Sequence, residues 1–236
     1  MLNKINIFVA LTIFGLLLSG PVIADINDNQ TWGNITAVGS LSSFNPALKN
    51  FKYWAEFQGR FGDNTSRFSQ AIIRPGIGYD INTTTSVWLG YALVQTAEPF
   101  SKTTFNERRF WQQLTLSDKF SFGTVSSRSR LEERLAPRLG DDTSLRLRQL
   151  FKVWVPLTAA PGYSVVASDE YYLNLNNADW GLRKGFDQNR AFIGMAYDFD
   201  KEIKTEIGYM NQYINRPFTS INRNDHILSI NFYLNY

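Results

Sequence analysis

The 236-residue chain has no cysteine, a single histidine and, beyond its first 24 residues, no apolar run long enough to cross a bilayer as a helix. Each absence closes a class. Without cysteine there is no disulfide scaffold and no thiolate metal site. With His226 alone, the imidazole clusters that bind transition metals cannot form, and only carboxylates remain as metal ligands, of the kind that suit calcium. Asp141 and Asp142 are the obvious acidic pair, but no spaced ligand series surrounds them, and a solvated turn explains them as well. No cofactor is implied. Charge of one sign is also missing: 24 Lys and Arg stand against 21 Asp and Glu, interleaved rather than in blocks, so the sequence pI near 9.0 does not indicate nucleic acid.

The N-terminus has the layout of a secretory signal. Lys4 supplies the positive start, Ile7 to Leu18 the apolar stretch, and Val22-Ile23-Ala24 the small-residue cleavage chemistry. Cleavage after Ala24 is expected, which removes one Lys and no acid and lowers the net charge from +3 to +2. An uncleaved anchor is the alternative, but the apolar run falls short of the roughly 20 residues that a spanning helix needs. The expected organisation is a signal peptide at 1–24, an N-terminal segment at 25–50 with a candidate strand at Trp32 to Leu41, and a β-domain at 51–236.

From Phe51 onward the chain alternates with the two-residue period of a half-buried strand. Phe51, Tyr53, Ala55, Phe57 and Phe61 share one face, while Lys52, Trp54, Glu56, Gln58 and Arg60 share the other. Ile73, Ile77 and Tyr79 oppose Arg74, and Val87, Leu89, Tyr91 and Leu93 line up after the polar turn 82–84. Between Phe105 and Leu116 the pattern sets Phe110 and Leu114 against Glu107, Arg109 and Gln113, with Arg108 and Gln112 blurring it. Arg128, Arg130, Glu132 and Arg134 then fall on one face, followed by Arg146, Arg148 and Lys152, by Ser168, Glu170 and Asn174, by Gln188 and Arg190, and by Lys204, Glu206 and Gln212. The last segment alternates Leu228, Ile230, Phe232, Leu234 and Tyr236 with Ser229, Asn231, Tyr233 and Asn235.

A soluble sandwich also alternates, so the period alone does not decide between water and lipid. Strands of about 10 residues match a tilted path across a bilayer, whereas globular strands average about 5 or 6. Tyr, Phe and Trp near strand ends suit interfacial girdles. The C-terminal strand, with Phe232, Leu234 and Tyr236, resembles the terminal signal that outer-membrane barrels present to the barrel-assembly machinery. The wider pattern resembles an uncharacterised bacterial outer-membrane family known only as a domain of unknown function. It does so in Trp54-Ala-Glu-Phe-Gln-Gly-Arg60, Arg74-Pro-Gly-Ile-Gly-Tyr79, Trp88-Leu-Gly-Tyr91, Glu107-Arg-Arg-Phe-Trp-Gln-Gln113, Arg130-Leu-Glu-Glu-Arg134, Asp169-Glu170, Phe186-Asp-Gln-Asn-Arg190 and Gly208-Tyr-Met-Asn-Gln212. That resemblance implies no activity.

The expected fold is therefore all-β: a transmembrane antiparallel up-and-down barrel of 10 to 12 strands in the bacterial outer membrane, with lipid outside it. Ten strands are readable from Phe51, and even counts place both ends in the periplasm, so Trp32 to Leu41 either stands apart or pairs with a further strand. The short turns at 82–84, 117–119 and 200–202 would face the periplasm, and the connections 97–104, 136–143, 176–185 and 215–224 the outside.

So small a barrel has a mostly filled lumen. Glu56, Arg60, Arg74, Arg128, Arg130, Glu132, Arg134, Arg146, Arg148, Glu170, Arg190 and Glu206 are expected to fill it as a polar network. That network reads either as a salt-bridged plug or as a narrow path selective for anions. An outer-membrane lipid-modifying enzyme is the rival from another class, and a soluble periplasmic barrel binding a small ligand is a third. Against an enzyme, His226 and Ser229 are three apart on one strand and so point to opposite faces, which prevents them from acting together as base and nucleophile.

Overall fold

The structure, a computed structural model, describes residues 26–217 and 221–236. The signal peptide expected at 1–24 lies outside the described residues.

Eleven strands form one closed sheet: β1 (Ile26–Ser40), β2 (Phe51–Gly62), β3 (Arg67–Asp80), β4 (Thr85–Thr96), β5 (Phe105–Phe120), β6 (Gly123–Leu135), β7 (Ser144–Pro156), β8 (Tyr163–Asn174), β9 (Gly185–Asp198), β10 (Ile203–Ile214) and β11 (Arg223–Asn235). Each pairs antiparallel with its chain neighbours, and β1 closes the ring against β11 in parallel, from Ile26 beside Arg223 to Val38 beside Asn235. Closure leaves no edge strand with unpaired backbone groups. The final bonds are Ser40 N–H to the Tyr236 carbonyl at 2.8 Å and Tyr236 N–H to the Val38 carbonyl at 2.9 Å.

The strand count lies within the expected range, but the even-number argument does not hold. Residues 25–50 are not a segment apart: β1 is part of the wall. In an up-and-down ring with an odd number of strands, the first and last run the same way, which is why this seam is parallel. The chain consequently enters at one end of the barrel and leaves at the other.

Connections alternate between those ends and, apart from 41–50 and 63–66, the shorter ones lie at one end and the longer ones at the other. The connections 81–84, 121–122, 157–162 and 199–202 share one end, with the 41–50 connection and its two 3-10 turns. The connections 63–66, 97–104, 136–143, 175–184 and 215–222 share the other. The turn expected at 117–119 is displaced, because Asp118 and Lys119 still pair with Val125 and Thr124 and the hairpin reverses only at 121–122. Gly123, at φ +154°, takes the backbone conformation that ends this reversal.

The polarity of the barrel is inverted relative to a soluble protein. Phe57, Ile73, Ile77 and Leu89 point outward and are 49–65% exposed, whereas Arg130 and Glu132 point inward and are fully buried. Clusters of Phe and Tyr sit at both ends. Phe51 meets Tyr79, and Tyr163 meets Tyr197 and then Phe199, at the short-turn end. Phe61 meets Phe68, and Phe186 lies between Tyr171 and Tyr213, at the long-loop end. Tryptophan departs from the girdle expectation: Trp32, Trp88 and Trp111 are buried, with Trp54 against Trp88 at 5.5 Å and Trp111 at 6.3 Å. Gly76 and Gly90 make room for the Trp111 ring, since a Cβ at either would overlap it.

Candidate functional site

Because β-strand side chains alternate, the arginine-rich segments deliver most of their charges to one side, Arg108 and Glu133 excepted, and the sheet closes with that side inward. Arginine and glutamate on neighbouring strands then meet in register. Glu56 on β2 sits opposite Arg74 on β3, and Glu132 on β6 opposite Arg146 on β7.

The central network is a continuous relay of ion pairs. Asp187 accepts from Arg146 at 3.2 Å, and Arg146 donates to Glu132 at 2.6 Å. Arg148 donates to Glu132 at 2.7 Å and to Glu170 at 2.8 Å, and Arg128 donates to Glu170 at 2.7 Å. Tyr172 adds a phenolic donor to Glu170 at 2.6 Å. Such pairing offsets the cost of removing these charges from water, and forked guanidinium–carboxylate geometry makes the offset effective.

Smaller groups flank the relay. Arg109 and Arg134 both donate to Glu107, at 2.7 and 2.6 Å. Arg74 donates to Glu56 at 2.5 Å, and Gln58 is also bonded to that carboxylate. Near the short-turn end, Glu206 accepts from Lys152 at 2.5 Å, the Trp154 indole at 2.6 Å and Tyr233 at 3.2 Å.

Three arginines are held by amides and rings instead. Arg130 donates twice to the Gln113 side-chain oxygen and lies 4.6 Å from the Trp111 ring centre. Arg60 donates to Gln58 and Gln70 and stacks 3.8 Å over Trp32, while Arg190 lies 4.8 Å from both Trp32 and Tyr172. Cation–π contact of this kind explains why Trp32 and Trp111 face the lumen. Nε of Arg60, Arg74, Arg128 and Arg190, and one terminal nitrogen each of Arg130 and Arg134, have no hydrogen-bond partner. The lumen thus holds spare guanidinium donors, beside the unpartnered side-chain oxygens of Asn34, Asn174 and Gln212.

All twelve residues expected in the network lie on the lumen side. Sequence reasoning omitted Glu107, Arg109, Lys152 and Asp187. The first three sit on polar faces already visible in the alternation. Asp187 turns inward at an irregularity in the β8–β9 register, where Tyr172 faces Gln188 and Leu173 faces Phe186, and strict alternation gives no sign of that.

At the long-loop mouth, two connections lock together. The Asp179 carboxylate accepts the backbone N–H groups of Asp141 at 2.9 Å and Asp142 at 3.2 Å; Asp142 in return accepts the Asp179 N–H at 2.9 Å. These donors hold the Asp179 carboxyl below the usual range for aspartate. Trp180 donates to the Asp142 carbonyl at 2.9 Å and lies over Arg134 at 5.1 Å, so this latch leans across the lumen. Asp141 thus contributes its backbone N–H to the latch and Asp142 both its N–H and a carboxylate that accepts backbone, and no cluster of three His, Asp or Glu suited to a metal occurs among the described residues. A cavity of about 270 Å³ opens beside it, lined in part by Asn174, Phe186, Asp187 and Ile214.

His226 and Ser229 part company as expected. Ser229 is buried on the lumen side, whereas His226 faces outward, its Nδ1 2.6 Å from the Tyr209 hydroxyl. On the outer face of β11, Phe232 and Tyr236 are exposed and Leu234 is partly so.

Residues 29–223 match the family model described as "Protein of unknown function (DUF2490)". An uncharacterized protein of Methylorubrum extorquens is 35% identical over 212 residues, covering 89% of each chain. No solved structure matches.

Proposed function

Because this chain belongs to the DUF2490 family of unknown function, we propose a role from the barrel itself: a bacterial outer-membrane protein, exported by a cleaved signal peptide, whose plugged lumen makes it a structural barrel rather than an open pore. The observation that carries the reading is the inverted polarity, with Leu89 65% exposed outside and Arg130 and Glu132 fully buried inside. Water would penalise that outer surface, and lipid does not. Phe and Tyr clusters at both ends supply the interfacial anchors.

In this reading the short-turn end faces the periplasm. Phe232, Leu234 and Tyr236 on the last strand are what the barrel-assembly machinery engages. Spare guanidinium donors support a second function for the same lumen, a narrow path for anions once the plug loosens.

The test is membrane fractionation of tagged protein, with gel mobility compared before and after boiling. Recovery in the outer membrane with a heat-dependent shift is expected. A soluble periplasmic protein overturns the proposal and turns the apolar exterior into a ligand-binding or assembly surface.

A further inference from the structure

The outward belt is not uniform around the barrel. On β2 to β4 its mid-strand residues are Phe57, Ile73, Ile77 and Leu89, large and apolar. On β5 to β9 a polar patch interrupts the same belt, between outward residues such as Phe110, Leu147 and Ile193. Gln112 donates to Glu133 at 3.2 Å, Ser129 to Gln149 at 2.5 Å, Gln149 to Ser127 at 2.9 Å, and Asn189 to Asp169 at 2.6 Å. Parity places these groups outside, since they alternate with lumen-buried Trp111, Gln113, Arg130, Glu132, Arg148 and Glu170. Ser129, Gln149 and Asp169 lie five or six residues in from the long-loop ends of β6, β7 and β8, which puts the centre of the patch at the depth of the acyl chains, while Glu133 and Asn189 lie nearer that rim.

Lipid tails offer no hydrogen bonds, and an outward carboxylate such as Asp169 at that depth calls for a protein neighbour. Ala167 and Ala191, adjacent to Asp169 along and across the strands, keep the surface low enough for another backbone to approach.

We propose that the β5–β9 wall is the contact between two copies of this chain in the membrane, a surface that rests on the outer-membrane reading above. Copies inserted by one route share one orientation, so they meet about a two-fold axis along the membrane normal, which brings side chains of equal depth together. With that axis at β7, Gln149 meets its own counterpart and Gln112 of one copy turns toward the Asn189 side of the other, and each of these amides presents both a donor and an acceptor. Glu133 and Asp169, already bonded to an amide in their own chain, keep lone pairs for the partner's amides.

The absence of cysteine makes the test direct. Ser129→Cys, Gln149→Cys and, on the opposite wall, Leu89→Cys are each oxidised in outer-membrane vesicles after a heat-shift check confirms a folded barrel. A disulfide-linked band of twice the monomer mass is expected from position 129 or 149 and not from 89. Folded barrels that stay monomeric at all three positions, cross-link equally at 89, or cross-link to a different protein overturn the contact. Failure of the heat-shift check, or a soluble protein, instead overturns the membrane reading and the contact with it.

Discussion

Arg148 reaches Glu132 at 2.7 Å from one side while Arg146 holds the opposite carboxylate oxygen at 2.6 Å, so a single fully buried glutamate ties two arginines of β7 to β6. Breaking a buried pair by removing one partner strands the other charge, typically at 3–5 kcal/mol. Arg146 keeps Asp187 and Arg148 keeps Glu170, which places Glu132→Gln near the lower end, about 3 kcal/mol. Urea titration of the heat-shifting folded band should show its midpoint fall. Arg67→Ala breaks only the exposed pair with Glu98 and should leave the midpoint unchanged, since such pairs contribute about 0–1 kcal/mol. Equal midpoints for both variants would show that the relay does not stabilise the barrel.

The parallel seam makes a topological prediction. With short turns in the periplasm, β1 begins at the outer end and β11 finishes at the inner one. Asn27→Cys should therefore react with a membrane-impermeant maleimide on intact cells, and Asn235→Cys only after the outer membrane is opened. The reverse pattern would invert the barrel in the membrane, and equal labelling would place both strand ends on one side, as an even strand count requires.

The alternation made the lumen face legible residue by residue, because strand parity is a local property and Glu56, Arg60 and Arg74 obey it. Trp54 already stood among the polar residues of its strand, yet the other tryptophans were assigned to the girdle by residue class, and the cation–π contact that holds Trp32 inward against Arg190 joins strands far apart in sequence. Strand number was the least legible feature. Whether β1 joins the ring depends on a seam whose partners include Asp28 and Arg223, 195 residues apart, and no local pattern encodes such a pairing.

The loop latch should respond to acid with a definite sign. Asp179 is held below the ordinary aspartate range by the N–H groups of Asp141 and Asp142, so its ionised form is the one the folded loops favour. A depressed carboxyl contributes stability above its unfolded pKa, about 3.9, and loses it as pH falls through the lower folded value. Protease cleavage in 175–184 on intact cells should stay slow from neutral pH to about 4 and rise below that. Asp179→Asn, which removes the charge but not the shape, should raise cleavage at neutral pH and flatten the dependence. A variant with the wild-type profile would show that the latch does not depend on this carboxylate.

Arg130 offers the sharpest test of the plug. It fills the lumen from β6 without a carboxylate partner, bonded to Gln113 and lying against Trp111, whose ring in turn occupies the space left by Gly76 and Gly90. Removing its guanidinium strands no buried acid, so Arg130→Ala should fold and keep its heat shift while losing the largest fully buried cation of the lumen. In planar bilayers the wild type is expected to be silent and Arg130→Ala to show discrete conductance steps that favour anions, because Arg74 and Arg128 remain. Steps already present in the wild type would mean that the lumen conducts as it stands. Silence in a folded Arg130→Ala variant would mean that the relay through Glu132 and Glu170, and not Arg130, seals the barrel, and Glu132→Gln then becomes the variant to record.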